Sequence, residues 1–231
     1  ARNELARDAL RASEIDAYVD YSGTIWTNQM HRTDVKPRAE VLAEMAAWLD
    51  REHKIKMLGG LGFENAYALA MPRGKAESLG IHSLADLAGR AQNLSIAGDY
   101  ECFGRPEWDA VRKTYAINFR EQRQMQPEFM YAAAAHGEVD VIAGYTSDGR
   151  IAQFDLVVLD DPRHAIPPYD AVLLISPQRI NDEVFISALR PLVDAVDVTT
   201  MREANLRASG KSNASPGEAA RWLWSEIRKK R

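Results

Sequence analysis

The sequence lacks several features that would place it in specialised classes of protein. It has one cysteine, Cys102, among 231 residues and no run of about 18 apolar residues, so it forms no internal disulfide and we expect no bilayer-spanning segment. Basic residues are not in excess, because 29 Lys and Arg against 33 Asp and Glu give a formal charge of −4. Proteins that bind the nucleic-acid backbone usually present a basic face, so nucleic acid is not an expected partner.

Motifs for catalysis, phosphate binding and metal binding are also missing. The sequence contains no Gly-x-Ser-x-Gly, His-Glu-x-x-His, Walker A or Gly-x-Gly-x-x-Gly motif. The run Gly59–Gly62 lacks the lysine or third glycine of a phosphate loop, and we expect a plain turn there. Cys102 lies near Asp99 and Glu101, whose charges disfavour a reactive thiolate. The histidines have no metal-ligand spacing; they are His31, His53, His82, His136 and His164. We therefore expect no enzyme activity, no metal and no cofactor.

Helix-type and strand-type segments alternate along the chain. The segment Pro37–His53 has apolar residues at helical spacing, whereas Tyr67–Met71 and Ala171–Ile175 are short apolar runs typical of buried strands. This alternation predicts an α/β fold with mainly parallel sheets flanked by helices. It also suggests a chain that leaves one lobe, builds a second and returns. We place lobe 1 at residues 1–71 and 171–231, and lobe 2 at residues 72–170.

Four of the eight tyrosines fall at predicted strand ends or turns, beside small, amide or proline residues. They are Tyr21 before Ser22-Gly23-Thr24, Tyr67 after Asn65-Ala66, Tyr145 before Thr146-Ser147-Asp148, and Tyr169 after Pro167-Pro168. Ligands of open α/β sheets bind at strand ends, so these side chains are candidates for a ligand site. Spacing alone leaves open whether each tyrosine contacts a ligand or is a half-buried packing residue.

Four segments of the sequence resemble the substrate-binding proteins of osmoprotectant ABC transporters. They are residues 14–24, 61–70, 144–151 and 159–171, and a fifth segment, 201–205, is also similar. The resemblance runs in order over nearly the whole chain. It implies a two-lobed, type II periplasmic-binding-protein fold with a cleft between the lobes. It also implies a ligand such as glycine betaine, choline, carnitine or proline betaine.

The same resemblance implies a cellular context. The expected partner is an ABC permease subunit, and the expected location is the periplasm or the extracytoplasmic face of the membrane. Contact with the membrane is expected only through the transporter or an anchor outside this chain. Members of the family normally have a further strand and helix ahead of the segment that matches Ala1, so lobe 1 is expected to lack its N-terminal part.

The resemblance also assigns roles to individual residues. Tyr21, Tyr67, Tyr145 and Tyr169 match tyrosines that cage the trimethylammonium head, Asn65 matches a polar neighbour, and Thr24 and Arg105 match residues that hold a carboxylate tail. The physical logic agrees, because a quaternary ammonium has no N–H to donate and the faces of electron-rich rings are its available attraction. Each ring contributes roughly 0.5–2 kcal/mol.

Two other interpretations of the sequence stay open. The same fold binds other small solutes such as amino acids, although the number of tyrosines favours a cation. The chain would also suit a ligand-sensing or permease-fused regulatory domain. A helix-turn-helix or membrane segment elsewhere in the full gene would favour that alternative.

Overall fold

The computed structural model describes residues 2–32, 34, 36–209 and 214–229, and it divides into two compact units. Unit 1 contains Ala1–Asn65, Pro168–Thr200 and Trp224–Arg231, and unit 2 contains Ala66–Pro167 and Met201–Leu223. The helices are α1 (Arg2–Arg11), α2 (Ser22–Thr24), α3 (Arg38–His53), α4 (Arg73–Leu79), α5 (Leu84–Ala88), α6 (Pro106–Tyr115), α7 (Pro127–Ala135), α8 (Arg150–Gln153), α9 (Glu183–Leu189), α10 (Val198–Ala208) and α11 (Pro216–Lys229). The strands are β1 (Ala17–Tyr21), β2 (Lys56–Glu64), β3 (Tyr67–Pro72), β4 (Ser95–Gly98), β5 (Glu121–Gln124), β6 (Val141–Tyr145), β7 (Leu156–Val158) and β8 (Asp170–Ile175).

Unit 1 is built on a three-stranded sheet with the order β1-β8-β2. Helix α3 covers it with Val41, Met45 and Leu49, which are spaced four residues apart and therefore share one helix face. Met45 and Leu49 pack with Val172 of β8, among other side chains, and burial of each such side chain contributes roughly 1.5–3 kcal/mol. The helix ends at His53, and Lys54, the next residue, adopts the left-handed conformation.

Unit 2 is built on a five-stranded sheet with the order β5-β4-β6-β3-β7. Its central strands are covered on both faces, as strand β3 illustrates. Leu69 and Met71 pack into one apolar cluster, whereas Ala70 between them packs into another. Side chains alternate across a strand, so a strand buried on both faces has a continuous apolar sequence. This explains why the run at Tyr67–Met71 indicated a buried strand.

The α/β class predicted from the sequence is confirmed, but the predicted strand direction is wrong. Of the six pairings between named strands in the described residues, only β4 with β5 and β4 with β6 are parallel. Strand β8, on which the chain returns to unit 1, runs against both of its neighbours, and so does β3, on which it enters unit 2. An apolar run indicates that a strand is buried and carries no information on its direction.

The predicted turn at Gly59–Gly62 is also wrong, because these residues belong to β2. The strand is irregular there, and Gly62 has a φ of +105°. Asp194 N donates to Gly60 O at 2.9 Å and Val196 N donates to Leu61 O at 2.9 Å. A Cβ on Gly62 would lie 2.8 Å from Val196 O, so the glycine admits this close approach of a second segment.

Near its C-terminal end the chain contributes residues Met201–Leu223 to unit 2. Two side chains of helix α10 form hydrogen bonds with the loop after β6 in unit 2. Arg202 Nε donates to Thr146 O at 2.6 Å, and Asn205 Nδ2 donates to Ser147 O at 2.8 Å. Helical periodicity reveals that a helix has an apolar face, but it does not reveal which distant loop its polar side chains bind.

Candidate functional site

Two of the candidate tyrosines face each other in unit 2. Tyr67 begins β3 and Tyr145 ends β6, and the two residues are direct partners in the antiparallel pair. Directly opposite residues place their side chains on the same face of a sheet. The ring centroids are 4.7 Å apart with an interplanar angle of 39°, and the two hydroxyl oxygens are 2.9 Å apart, joined by a hydrogen bond.

The residues next to these tyrosines fix the pair by reciprocal hydrogen bonds. Thr146 N donates to Ala66 O at 2.9 Å, and Ala66 N donates to Thr146 Oγ1 at 3.0 Å. The threonine hydroxyl therefore continues the ladder between β3 and β6 by one more residue pair. Because the two strand ends are held in register, the rings of Tyr67 and Tyr145 stay side by side.

Arg105 lies beside this pair. It precedes α6, its side chain forms an ion pair with Glu101, and its Cζ is 5.5 Å from the centre of the Tyr67 ring. This distance is within the range of a cation–π interaction. Tyr67 and Arg105 also line a small cavity of about 20 Å³ that Cys102 and Trp108 help to close.

Burial favours the neutral form of three of the candidate phenols. Burial raises the pKa of Tyr67, and burial is also the main cause of the raised pKa of Tyr145. Burial, together with the charge of Asp20, raises the pKa of Tyr21. Burial raises the pKa of the Cys102 thiol to about 12, which agrees with the expectation that this cysteine is inert.

Unit 1 holds the other candidates around the start of α2 and the start of β8. Tyr21 ends β1 and is paired with Ala171 of β8, while Thr24 is the half-buried last residue of α2. Tyr169 immediately precedes β8, and its carbonyl oxygen accepts a hydrogen bond of 2.9 Å from Asn65 N. A main-chain hydrogen bond therefore joins Asn65 and Tyr169, which are 104 residues apart in the sequence.

The turn after Tyr21 also contacts Tyr169. Ser22 Oγ donates to Pro168 O at 3.0 Å and accepts from Asp170 N at 2.8 Å, so one buried hydroxyl binds the main chain on both sides of Tyr169. The ring of Tyr169 lies against Gly23, where an added Cβ would be 2.6 Å from its Cζ. In the sequence, Ser22 and Gly23 stand out only as small neighbours of Tyr21, and no local pattern predicts their contacts with Tyr169.

The described residues also bear on metal sites and membrane-spanning segments. Among residues 2–32, 34, 36–209 and 214–229 there is no group of three or more His, Cys, Asp or Glu side chains arranged to hold a metal ion. In the same part of the chain, no helix has the length and apolarity needed to cross a membrane.

The fold identifies the general class of protein. A crystal structure of a glycine betaine/carnitine/choline ABC transporter protein superposes with a TM-score of 0.89 at 23% identity, covering 97% of this chain and 85% of that one. The chain therefore has the α/β fold of type II periplasmic binding proteins.

The family follows from the sequence itself. Residues 1–226 match the model of the substrate binding domain of the ABC-type glycine betaine transport system, and the chain belongs to this family.

Two curated relatives differ in the ligand that their names give. The glycine-betaine-binding protein of Pseudomonas aeruginosa is 30% identical over 232 residues, which cover 95% of this chain and 74% of that protein. The ergothioneine transport permease/ergothioneine binding protein of Helicobacter pylori is 26% identical over 200 residues, which cover 85% of this chain. The match spans 36% of the length of the Helicobacter protein.

Proposed function

We propose that this chain is the solute-binding component of an ABC importer for quaternary ammonium osmoprotectants such as glycine betaine or choline, and that it is not an enzyme. The observation that carries the proposal is the pair of neutral tyrosine rings at Tyr67 and Tyr145, with the guanidinium of Arg105 beside them. Electron-rich ring faces attract a methylated cation, and a guanidinium attracts a carboxylate. One unit thus offers groups suited to both ends of a betaine.

We assign the individual roles as follows. The tyrosines contact the trimethylammonium group, Asn65 is their polar neighbour, and Thr24 and Arg105 bind the carboxylate; the tyrosines are Tyr21, Tyr67, Tyr145 and Tyr169. Four rings together supply roughly 2–8 kcal/mol before ordering costs. Micromolar binding requires about 8 kcal/mol, so a charge-assisted contact to the ligand carboxylate is expected to supply the remainder.

The partner and location are part of the same proposal. The family to which the chain belongs serves ABC transport systems. For this chain we propose a permease subunit as the partner. We also propose a location in the periplasm or on the extracytoplasmic face of the membrane. The lobe boundaries at residues 72 and 171 remain a prediction from the sequence.

A second candidate is a binding domain that belongs to a permease chain. It is favoured by the Helicobacter relative, whose name joins a permease with a binding protein and of which the match covers 36%. The sequence of the full gene decides between the two candidates, because a permease fusion requires membrane-spanning segments in the same reading frame.

Titration calorimetry with purified protein tests the function. The panel comprises glycine betaine, choline, carnitine, proline betaine, ergothioneine and common amino acids. We expect binding of a quaternary amine, and we expect Tyr145→Ala and Tyr169→Ala each to weaken it by about tenfold or more, which corresponds to about 1.4 kcal/mol. Tyr100→Ala is the control, because Tyr100 is 63% exposed and outside the assigned set.

The outcomes separate the parts of the proposal. Binding of an amino acid and of no quaternary amine would contradict the ligand class. Unchanged affinity in both Tyr145→Ala and Tyr169→Ala would remove these two residues from the site while leaving the ligand class intact.

A further inference from the structure

We propose that Gly23 is a positioning residue for the ligand site: its missing side chain lets the ring of Tyr169 lie directly against the backbone, and this contact sets the orientation in which the ring meets the ligand cation. The inference rests on the proposed function, which makes Tyr169 a ligand contact. It adds a residue that no matched motif assigned to the site, and it gives a physical reason for a glycine at this position.

The geometry places the face of the ring, and not its edge, against Gly23. A Cβ built on Gly23 would lie 2.6 Å from Tyr169 Cε2, 2.6 Å from Cζ and 2.7 Å from Cε1. A point almost equally distant from these three carbons lies on the axis through the centre of the ring, above its plane. Real Cβ atoms essentially never approach other atoms within 3.0 Å, so any side chain at position 23 must displace the ring.

The main chain around Tyr169 leaves the side chain as the part that would move. Ser22 Oγ binds Pro168 O and Asp170 N, and Asn65 N binds Tyr169 O, so the backbone is held before, at and after the tyrosine. The clashing atoms are at the far end of the side chain, which rotates about its own bonds. Alanine at position 23 is therefore expected to turn the ring and to leave the fold intact.

The backbone of Gly23 gives no other reason for glycine. It lies in α2, and it is not among the residues with positive φ. Alanine is a better helix former than glycine, so local structure alone would favour alanine here. Glycine is needed at position 23 because any side chain there would overlap the volume that the Tyr169 ring occupies.

This arrangement prepares the ring for a cation. Either face of an isolated phenol ring attracts a positive charge. Because Gly23 covers one face of Tyr169, a cation that contacts this ring would do so on the opposite face, and the contact with Gly23 restricts the rotation of the ring. Fixing a contact in its bound geometry lowers the entropic cost of binding.

Nuclear magnetic resonance tests, without any ligand, whether the face of the Tyr169 ring lies against Gly23. A proton held above the centre of an aromatic ring is shifted upfield by the ring current. We expect one α-proton of Gly23 to resonate far upfield of its usual position, and we expect Tyr169→Leu to abolish this shift. An ordinary chemical shift for both α-protons in the wild-type protein would overturn the proposal.

Calorimetry with glycine betaine then tests whether the contact between Gly23 and the Tyr169 ring contributes to ligand binding. Gly23→Ala is expected to weaken binding by about threefold or more, within the range of one cation–π contact. The matched control is Gly60→Ala in the same unit, where a Cβ would meet only Ala171 O at 3.8 Å. Far-UV circular dichroism confirms that each variant is folded.

A double variant shows whether Gly23 acts through Tyr169. In the Tyr169→Leu background, Gly23→Ala is expected to cause no further loss of affinity. Equal losses in both backgrounds, or wild-type affinity in folded Gly23→Ala, would overturn the inference while the proposed function stands. If the wild-type protein binds no quaternary amine, the proposed function fails, and the resonance of Gly23 still reports whether the Tyr169 ring lies against Gly23.

Discussion

At the scale of the residue, one of the candidate rings already has a cation beside it. The guanidinium of Arg105 lies 5.5 Å from the centre of the Tyr67 ring. A ligand that carries only a positive charge competes with this guanidinium for the Tyr67 ring and has no anionic group that Arg105 could bind. A zwitterionic ligand supplies a carboxylate that Arg105 can bind. Arg105 is therefore expected to favour betaines over choline.

The Arg105→Met variant tests this preference. We expect it to weaken glycine betaine binding by about tenfold or more, since hydrogen bonds to charged groups contribute about 1.5–3 kcal/mol, and we expect choline binding not to weaken. Titration calorimetry with both ligands measures the difference. Arg163→Met is the matched control, because the guanidinium of Arg163 also lies over a tyrosine ring, 5.2 Å from the centre of Tyr115, and neither residue belongs to the assigned set. Equal losses for both ligands would contradict the assigned role of Arg105.

The sequence predicts that candidate tyrosines lie at strand ends, but it does not predict the contacts that hold them in place. Alternation of apolar segments identified where strands begin and end, and Tyr67 and Tyr145 do lie at such ends. The supporting contacts of Ser22 and Thr146 span 148 and 80 residues of sequence. Periodicity within a segment holds no information on contacts at this separation, so these supports emerged only from the structure.

At the scale of the element, helix α10 depends on a glycine in the loop that it covers. A Cβ on Gly149 would lie 2.4 Å from Leu206 N and 2.7 Å from Arg202 O. Both atoms belong to the main chain of α10 and cannot rotate away. The helix therefore lies close to the loop after β6, where Arg202 and Asn205 bind its carbonyl groups.

Gly149→Ala is expected to lower the free energy of unfolding by about 1–3 kcal/mol, because the added methyl group pushes against rigid backbone. Gly74→Ala is the control in the same unit, since a Cβ there meets nothing within 4 Å. Gly74 lies in α4, so alanine there is expected to raise the free energy of unfolding by up to about 1 kcal/mol. Urea denaturation of the three proteins measures both changes. A Gly149→Ala protein as stable as the wild type would show that α10 can move away from the loop.

Among the elements, buried strands were easier to predict from the sequence than irregular ones. The prediction at Ala171–Ile175 corresponds to β8, which the structure begins one residue earlier. The sequence predicts a short strand at Lys54–Leu58, but the continuation of β2 through Gly59–Gly62 was not predicted because this run resembles a turn. Its glycines instead admit the segment at residues 194–196, which pairs with the strand from a distance that local pattern does not cover.

At the scale of the whole molecule, tyrosine burial sets a limit on stability at high pH. Burial is the main cause of a raised pKa in six tyrosines, which are Tyr18, Tyr21, Tyr67, Tyr115, Tyr131 and Tyr145. The folded protein keeps these protons at a pH at which the unfolded chain, with tyrosine pKa values near 10.0, releases them. Their contribution to stability is complete below pH 10 and is lost as the pH rises above it.

We therefore expect the free energy of unfolding, measured by urea denaturation at constant ionic strength, to fall progressively between about pH 10 and pH 11. Tyr131→Phe removes one buried phenol and is expected to reduce this slope. The slope of the variant is the decisive quantity, because other groups that titrate at high pH are the same in both proteins. An identical slope in the variant would contradict the role of this tyrosine.

The α/β class of the whole fold was predictable from the sequence, whereas the contacts that hold Met201–Leu223 in unit 2 were not. Alternating segments sufficed for the α/β class because each element type has its own apolar period. The placement of Met201–Leu223 with unit 2 depends on hydrogen bonds from Arg202 and Asn205 to carbonyl groups nearly 60 residues away. Such bonds follow from the fold and leave no pattern in the sequence.

The facing position of Tyr67 and Tyr145 makes the lengths of their strands as important as the residues themselves. Inserting or deleting one residue inside β3 or β6 would reverse the side to which every later side chain of that strand points. The phenols would then lie on opposite surfaces although both were still encoded. Length changes within these strands should therefore abolish recognition more completely than replacing either tyrosine.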